Sequence, residues 1–243
     1  MMYGKKFPAI GLLIFALVLI FAPARGTKGQ DSDNKDKQNA YPVMAPLDQY
    51  LMDRNAEIAL ARSAAPETLS RDATVLVLGR HGYETAIEGK NGFVCVVERS
   101  WMLPYDDSEF WNPSVRLPLC QNPPAARSHL PITFKTTELA WAGMSKTQMF
   151  DSIKDAFAKK KLPPPEHGSM CYMMSKQQNF GPKFGNAGPH LMFWFPQGDH
   201  VTWGADLADS PVDVHQYSPQ PITEFTISVS KWSDGTTARA SQH

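Results

Sequence analysis

Residues 73–101 read Ala-Thr-Val-Leu-Val-Leu-Gly-Arg-His-Gly-Tyr-Glu-Thr-Ala-Ile-Glu-Gly-Lys-Asn-Gly-Phe-Val-Cys-Val-Val-Glu-Arg-Ser-Trp. Two apolar, β-branched runs, Thr74 to Leu78 and Phe93 to Val97, flank Gly89-Lys90-Asn91-Gly92, whose Asn-Gly pair tolerates the positive φ of a tight turn. The stretch predicts two antiparallel strands reversing at Asn91-Gly92, at the centre of a sheet. It also holds Arg80-His81-Gly82, the one catalytic-looking triplet in the chain.

Toward the N-terminus, Lys5 and Lys6 precede an apolar run from Ala9 to Ala22, and Ala22-Pro23-Ala24 offers small residues at the positions a signal peptidase reads. We expect residues 1–24 to be an export leader cleaved after Ala24, giving a periplasmic or secreted chain. The run is 14 residues long, against the roughly 20 that span a bilayer as a helix. Retention as an anchor is the alternative, and no further membrane span is expected after cleavage. Without the leader, 22 basic residues face 24 acidic ones. That balance, with no clustered basic excess, speaks against nucleic acid as a partner. A small molecule or an envelope component remains.

Residues 25–44 mix both charges with little apolar surface and read as a disordered spacer. A single domain is expected over 45–232, followed by a frayed polar tail over 233–243. Pro46 opens a helical pattern that runs to Ala64, with Leu47, Tyr50, Leu51, Ile58 and Ala61 on one side. Six prolines between 102 and 131 make regular strands there improbable, and the aromatic residues among them suggest a loop packed down on the domain. Ser145 and Gln148 form the S-x-x-Q pattern of a capping box, opening a helix that Pro163 stops. A shorter helix is predicted from Thr136, ending at Gly143. Strands are predicted at Met170–Met174, Leu191–Phe195, Val201–Trp203 and Phe225–Ser230. The last alternates, with Phe225, Ile227 and Val229 inward and a wet opposite face. The class is therefore α+β: a mostly antiparallel sheet with two amphipathic helices, 46–64 and 145–161, packed on one face.

Three cysteines allow one bridge and leave one thiol. Of the three pairings, Cys95 with Cys120 is favoured, because Cys95 sits on the second strand of the expected hairpin and Cys120 closes the Pro-rich excursion after it. Cys171 then packs within an apolar strand.

The chemistry-bearing residues are sparse. His190, Asp199, His200, Asp206, Asp213 and His215 fall within 26 residues, and His190, Asp199 and His200 are the candidate divalent-metal ligands, since imidazole with carboxylate suits zinc. No two of these histidines have the spacing that places both on one face of an element. His190, Trp194 and Trp203 are the candidate ligand-binding residues, by virtue of aromatic surface beside polar groups, although such aromatics more often build core. Gly-x-Ser-x-Gly is absent.

Arg80-His81-Gly82 after an apolar strand resembles the opening of the histidine-phosphatase superfamily. There the histidine accepts a phosphoryl group and the arginine binds it, so the resemblance implies a phosphohydrolase with His81 as nucleophile and Arg80 as phosphate ligand. That family also needs a helix after the triplet, a second histidine and further arginines; only His190 and Arg127 offer themselves. Separately, Asn91-Gly92-Phe93-Val94-Cys95 with Pro118-Leu119-Cys120 resembles a pattern in uncharacterised bacterial exported proteins, over about residues 70–122. This resemblance implies a disulfide-bridged exported domain and brings no activity or cofactor. The expectation is an exported domain, more binding than catalytic, with His81 phosphohydrolysis or divalent-metal binding as alternatives.

Overall fold

The computed structural model describes residues 41–198, 203–205 and 207–238. The leader over 1–24, most of the spacer and the last five residues lie outside these. Tyr41 and Met44 already pack against the core, ahead of residue 45.

Strand β1 (Thr74–Gly79) turns through Arg80 and His81 into β2 (Gly82–Ile87), antiparallel to it, with Gly79 opposite Gly82. Gly82 has φ 106°, so the tight turn uses a glycine where other residues are strained. The chain then passes the start of β1 and enters β3 (Val94–Glu98) on the other side of β1. There it runs parallel to β1, pairing Thr74 with Val94 and Val75 with Cys95. The expected antiparallel reversal at Asn91-Gly92 is thus corrected. Residues 88–93 cross beneath β1 and bond to it: Gly89 N–H donates to Thr74 Oγ1 (3.0 Å), Lys90 N–H to Asp72 O (2.7 Å), and Thr74 N–H to Phe93 O (2.9 Å).

The described strands form one eight-stranded sheet, which adds β4 (Leu117–Gln121), β5 (Met170–Met173), β6 (His190–Pro196), β7 (Val212–Gln216) and β8 (Ile222–Ser228). Its order is β2-β1-β3-β4-β5-β6-β8-β7. Every ladder other than β1 with β3 is antiparallel, so the class is α+β with a mostly antiparallel sheet. Pro118 stands in the middle of β4, against the expectation that prolines exclude a strand here. β4 bonds to β5 only through Cys120 and Gln121, leaving Pro118 where the strand has one neighbour, and there a missing N–H is tolerated. Cys95 lies directly opposite Cys120 and the two are disulfide-bonded, while Cys171 is a buried free thiol.

The 46–64 pattern divides. A 3₁₀ turn at Leu47–Gln49 is followed by buried Tyr50, and α1 (Arg54–Arg62) starts only after Asp53, whose side chain accepts from Ala56 N–H. Then come α2 (Glu67–Ser70), α3 (Pro123–Ser128), α4 (Leu130–Trp141) and α5 (Lys146–Ala158). α5 carries the full capping box of Ser145 and Gln148, and Gly143 stands just past α4 with φ 70°.

The two long amphipathic patterns occupy opposite faces of the sheet, where one common face was expected. Leu60 and Ala61 of α1 pack with Val75, Cys95, Val97 and Cys120. Met149, Ile153 and Ala156 of α5 join Leu76, Val96 and Leu119 in a second cluster. Strand neighbours alternate between the clusters because successive side chains point to opposite faces. Fully burying a side chain the size of Ile153 or Leu119 contributes about 1.5–3 kcal/mol. The tail is held as far as it is described: Ser233 N–H donates to Met174 O, and Asp234 pairs with Lys176 at 2.7 Å. Among the described residues no helix is long and apolar enough to cross a membrane.

Candidate functional site

The face covered by α4 and α5 holds a cleft of about 100 Å³ over β3 to β8. Its floor is apolar, from Leu117, Leu119, Met173 and Met192, and the segments carrying Met102 and Tyr105, and Tyr217 and Ile222, add to its walls. Into it the sheet places two carboxyl groups. Glu98 shares the face of Val94 and Val96 by strand alternation, and Glu224 stands opposite Trp194 in the β6–β8 register.

Each carboxyl has its own surroundings. Glu98, 4% exposed, accepts from Thr133 Oγ1 of α4 through Oε1. Burial pushes its pKa up to about 7, with the Thr133 bond opposing and Glu224 adding to the rise. Near neutral pH it is divided between acid and carboxylate. Glu224 Oε2 accepts from Trp194 Nε1 at 2.8 Å, and Oε1 accepts from Tyr217 OH at 3.3 Å and Thr226 Oγ1 at 3.5 Å. Burial raises its pKa also, against these bonds.

His129, at the junction of α3 and α4, stacks flat on Trp194 with ring centroids 3.9 Å apart. Burial pushes it down to about 4, so the ring is neutral at neutral pH. Gln121 Nε2 lies 3.2 Å from His129 Nδ1, the contact of an amide donor with a ring acceptor, which leaves the ring proton on Nε2. Burial also raises the Tyr105 and Tyr217 phenols. The Tyr105 Oη atom is buried with no hydrogen-bond partner among the described residues. The cleft thus combines a near-neutral acid, a carboxyl held by three donors, a neutral imidazole and a free phenol on an apolar floor.

The residues singled out from sequence are scattered. Arg80 and His81 form the exposed tip of the β1–β2 hairpin. Arg80 Nη2 is 2.6 Å from Asp48 Oδ1, and Arg80 O accepts from Trp141 Nε1. His81 borders a depression of about 250 Å³ with Tyr83, Phe134 and Trp141, and among the described residues no arginine lines it. A strand follows the triplet where the phosphatase resemblance needs a helix. Arg127 pairs with Glu166, and His190 lies on β6, with β3, β4 and β5 between it and β1.

His190 Nδ1 is 2.8 Å from Gly188 O, and burial lowers its pKa. Asp199, His200 and Asp206 lie outside the described residues. Among the described residues no three His, Cys, Asp or Glu side chains are grouped to hold a metal ion. Trp194 reaches the cleft. Trp203 stacks on Phe225 at 4.5 Å, and Phe225 points to the face opposite Glu224, so the two tryptophans serve different surfaces. Glu98, Glu224 and His129 escaped the sequence reading. The face of β8 expected to be wet is exposed at Ser228, while ahead of the expected strand start the same face carries buried Ile222 and Glu224. The clue was alternation: Glu98 continues the Val94, Val96 side of its strand.

No family model matches the chain, and no curated protein or solved structure shows significant similarity to it.

Proposed function

We propose that the protein is an exported domain that binds a small ligand in the cleft over β3 to β8. The observation that carries this reading is the pair of buried carboxyl groups, Glu98 and Glu224, facing an apolar floor beside the Trp194–His129 stack. Ligand sites combine an apolar surface with a few converging polar groups in this way. Export is supported by the Cys95–Cys120 bond, since disulfides persist in oxidising compartments, together with the Lys5-Lys6, apolar and Ala22-Pro23-Ala24 pattern.

The test is a thermal-shift screen of the oxidised protein against sugars, carboxylates, amines and apolar compounds. One class should raise Tm and perturb Trp194 fluorescence. Both effects should vanish in Met102→Trp, which narrows one side of the cleft. No shift from any class, or turnover of a generic ester, glycoside or phosphate, would overturn the reading. N-terminal sequencing of exported protein should start at Arg25.

A further inference from the structure

We infer that the ligand of the cleft is a small primary ammonium ion, its charged head paired with Glu98 and its hydrocarbon part lying on the methionine and leucine floor. This rests on the small-ligand reading above and gives that ligand a chemical class.

The first support is the balance of charge. Among the described residues two carboxyl groups line the cleft, no lysine or arginine does, and His129 is neutral; His215, opposite Glu224 on β7, acts on Glu224 and not on Glu98. A buried carboxylate without a counter-ion is costly, and no cation beside Glu98 offsets its burial. An anionic ligand would add to the repulsion; a cation would supply what is missing.

Unmet hydrogen bonding is the second. Glu224 receives three donors through its two oxygens, whereas Glu98 is engaged only through Oε1, by Thr133. Its other oxygen receives no donor among the described residues, and the residue, 4% exposed, lines the cleft. Tyr105 Oη, also in the cleft lining, is buried and has no hydrogen-bond partner among the described residues. A primary ammonium brings three donors and can serve such acceptors, while a quaternary ammonium brings none. Buried polar groups left open in this way call for a partner.

The walls agree with this. Trp194 and Phe180 offer aromatic surface to a cation, and Met102, Met173 and Met192 offer polarisable, adaptable contact to a short alkyl chain. The cleft's volume restricts the ligand to a few heavy atoms. Several groups share the field around Glu98: Glu224 from β8, His129 and Thr133 from the helical layer, Tyr105 and Tyr217 from the flanking segments, and Tyr83 and Cys171 from β2 and β5. None of them is a cation at neutral pH.

The experiment uses n-butylammonium, with butan-1-ol as its uncharged counterpart and butyrate as the opposite charge, titrated into the full oxidised protein by calorimetry and tryptophan fluorescence at pH 8. Butylammonium should bind at least about tenfold more tightly than the alcohol, as an ion pair in a desolvated site requires. Butyrate should not saturate. Between pH 8 and pH 6 the affinity for butylammonium should fall about tenfold, because protons compete for Glu98 while the amine stays charged. Glu98→Gln should abolish both the preference and its pH dependence. The wild-type pH series keeps the inference falsifiable if that variant does not fold. Equal binding of alcohol and ammonium, or tighter binding of butyrate, would overturn the ammonium assignment and leave a small-ligand cleft in place. Saturation by none of the three would overturn the assignment, and a silent screen besides would overturn the small-ligand reading with it.

Discussion

Glu57 Oε1 lies 2.8 Å from Arg99 Nη2, with the two side chains 1% and 0% exposed. The pair sits where the β1–β3 ladder ends. Glu57 Oε1 also accepts from Leu78 N–H of β1, while Arg99 donates to Val97 O of β3 and to Tyr50 O. Side chains from α1 and from the residue after β3 therefore continue a connection that the backbones stop making after Val75 and Cys95. Arg99→Met should cost about 3–5 kcal/mol, the range for stranding one half of a buried ion pair. A double change to Glu57→Leu and Arg99→Met should not recover it, because Leu78 N–H and Tyr50 O would be left open, Val97 O alone keeping a donor in Tyr83 OH. Urea denaturation of the three proteins checks this; a stable double variant would show that the backbone groups find other partners.

Gly89 is held by contact and not by its backbone angles. A Cβ there would lie 2.1 Å from Thr74 N and 2.4 Å from Ala73 C, both in backbone that cannot yield cheaply. Gly89→Ala should destabilise by about 3 kcal/mol or more, at the top of the range for overpacking. Gly185→Ala is the comparison: its φ is 59° and a Cβ meets nothing within 4 Å, so about 1 kcal/mol is expected. Equal losses in the two melting curves would contradict the close crossing at β1.

The Cys95–Cys120 bond closes a separation of 25 residues, which on the chain-entropy account contributes about 3–4 kcal/mol. Cys95→Ala with Cys120→Ala should lower the stability by that amount. Thiol titration should find no reactive group in the native protein and one, Cys171, after unfolding without reductant. Two or three titratable thiols in the unfolded protein would contradict the pairing.

Glu98 and His129 give stability opposite dependences on pH. Glu98 is raised from 4.5 to about 7 in the fold, so its contribution is complete below 4.5 and is lost as pH rises to 7. The loss is of order 3 kcal/mol. His129 is lowered from 6.5 to about 4, so its contribution is complete above 6.5 and is lost as pH falls to 4. Relative to wild type, Glu98→Gln should gain stability as pH climbs from 4.5 to 7. His129→Gln should gain as pH drops from 6.5 to 4. Denaturation at pH 4, 5.5 and 7.5 measures both; a gap that stays constant with pH would contradict the burial of the group concerned.

What could be read from sequence was local or covalent. Ser145 and Gln148 are three residues apart and cap their helix whatever lies around them, and Gly143 ends α4 for the same kind of reason. The cysteine pairing followed from few alternatives. The direction of β3 was not legible: Thr74–Leu78 and Phe93–Val97 look alike in composition, and Asn91-Gly92 fits a hairpin as well as a crossing. What decides between them is the approach of Gly89 to Thr74, a contact that a linear reading does not contain. The hairpin that does form turns at Arg80 and His81, whose bulk concealed the turn and invited a catalytic interpretation. The cleft was hidden for a related reason. Glu98, His129 and Glu224 lie far apart in the chain, and each reads as surface until the sheet order brings them over one floor.

The ring closed by Cys95 and Cys120 contains Glu98, Met102, Leu103, Pro104, Tyr105, Leu117 and Leu119. One covalent bond therefore tethers both ends of the segment that supplies the acidic group, the open phenol and part of the floor. A compartment that keeps thiols reduced would release that tether, so the recognition surface and the oxidation state of its surroundings are joined in a single stretch of chain.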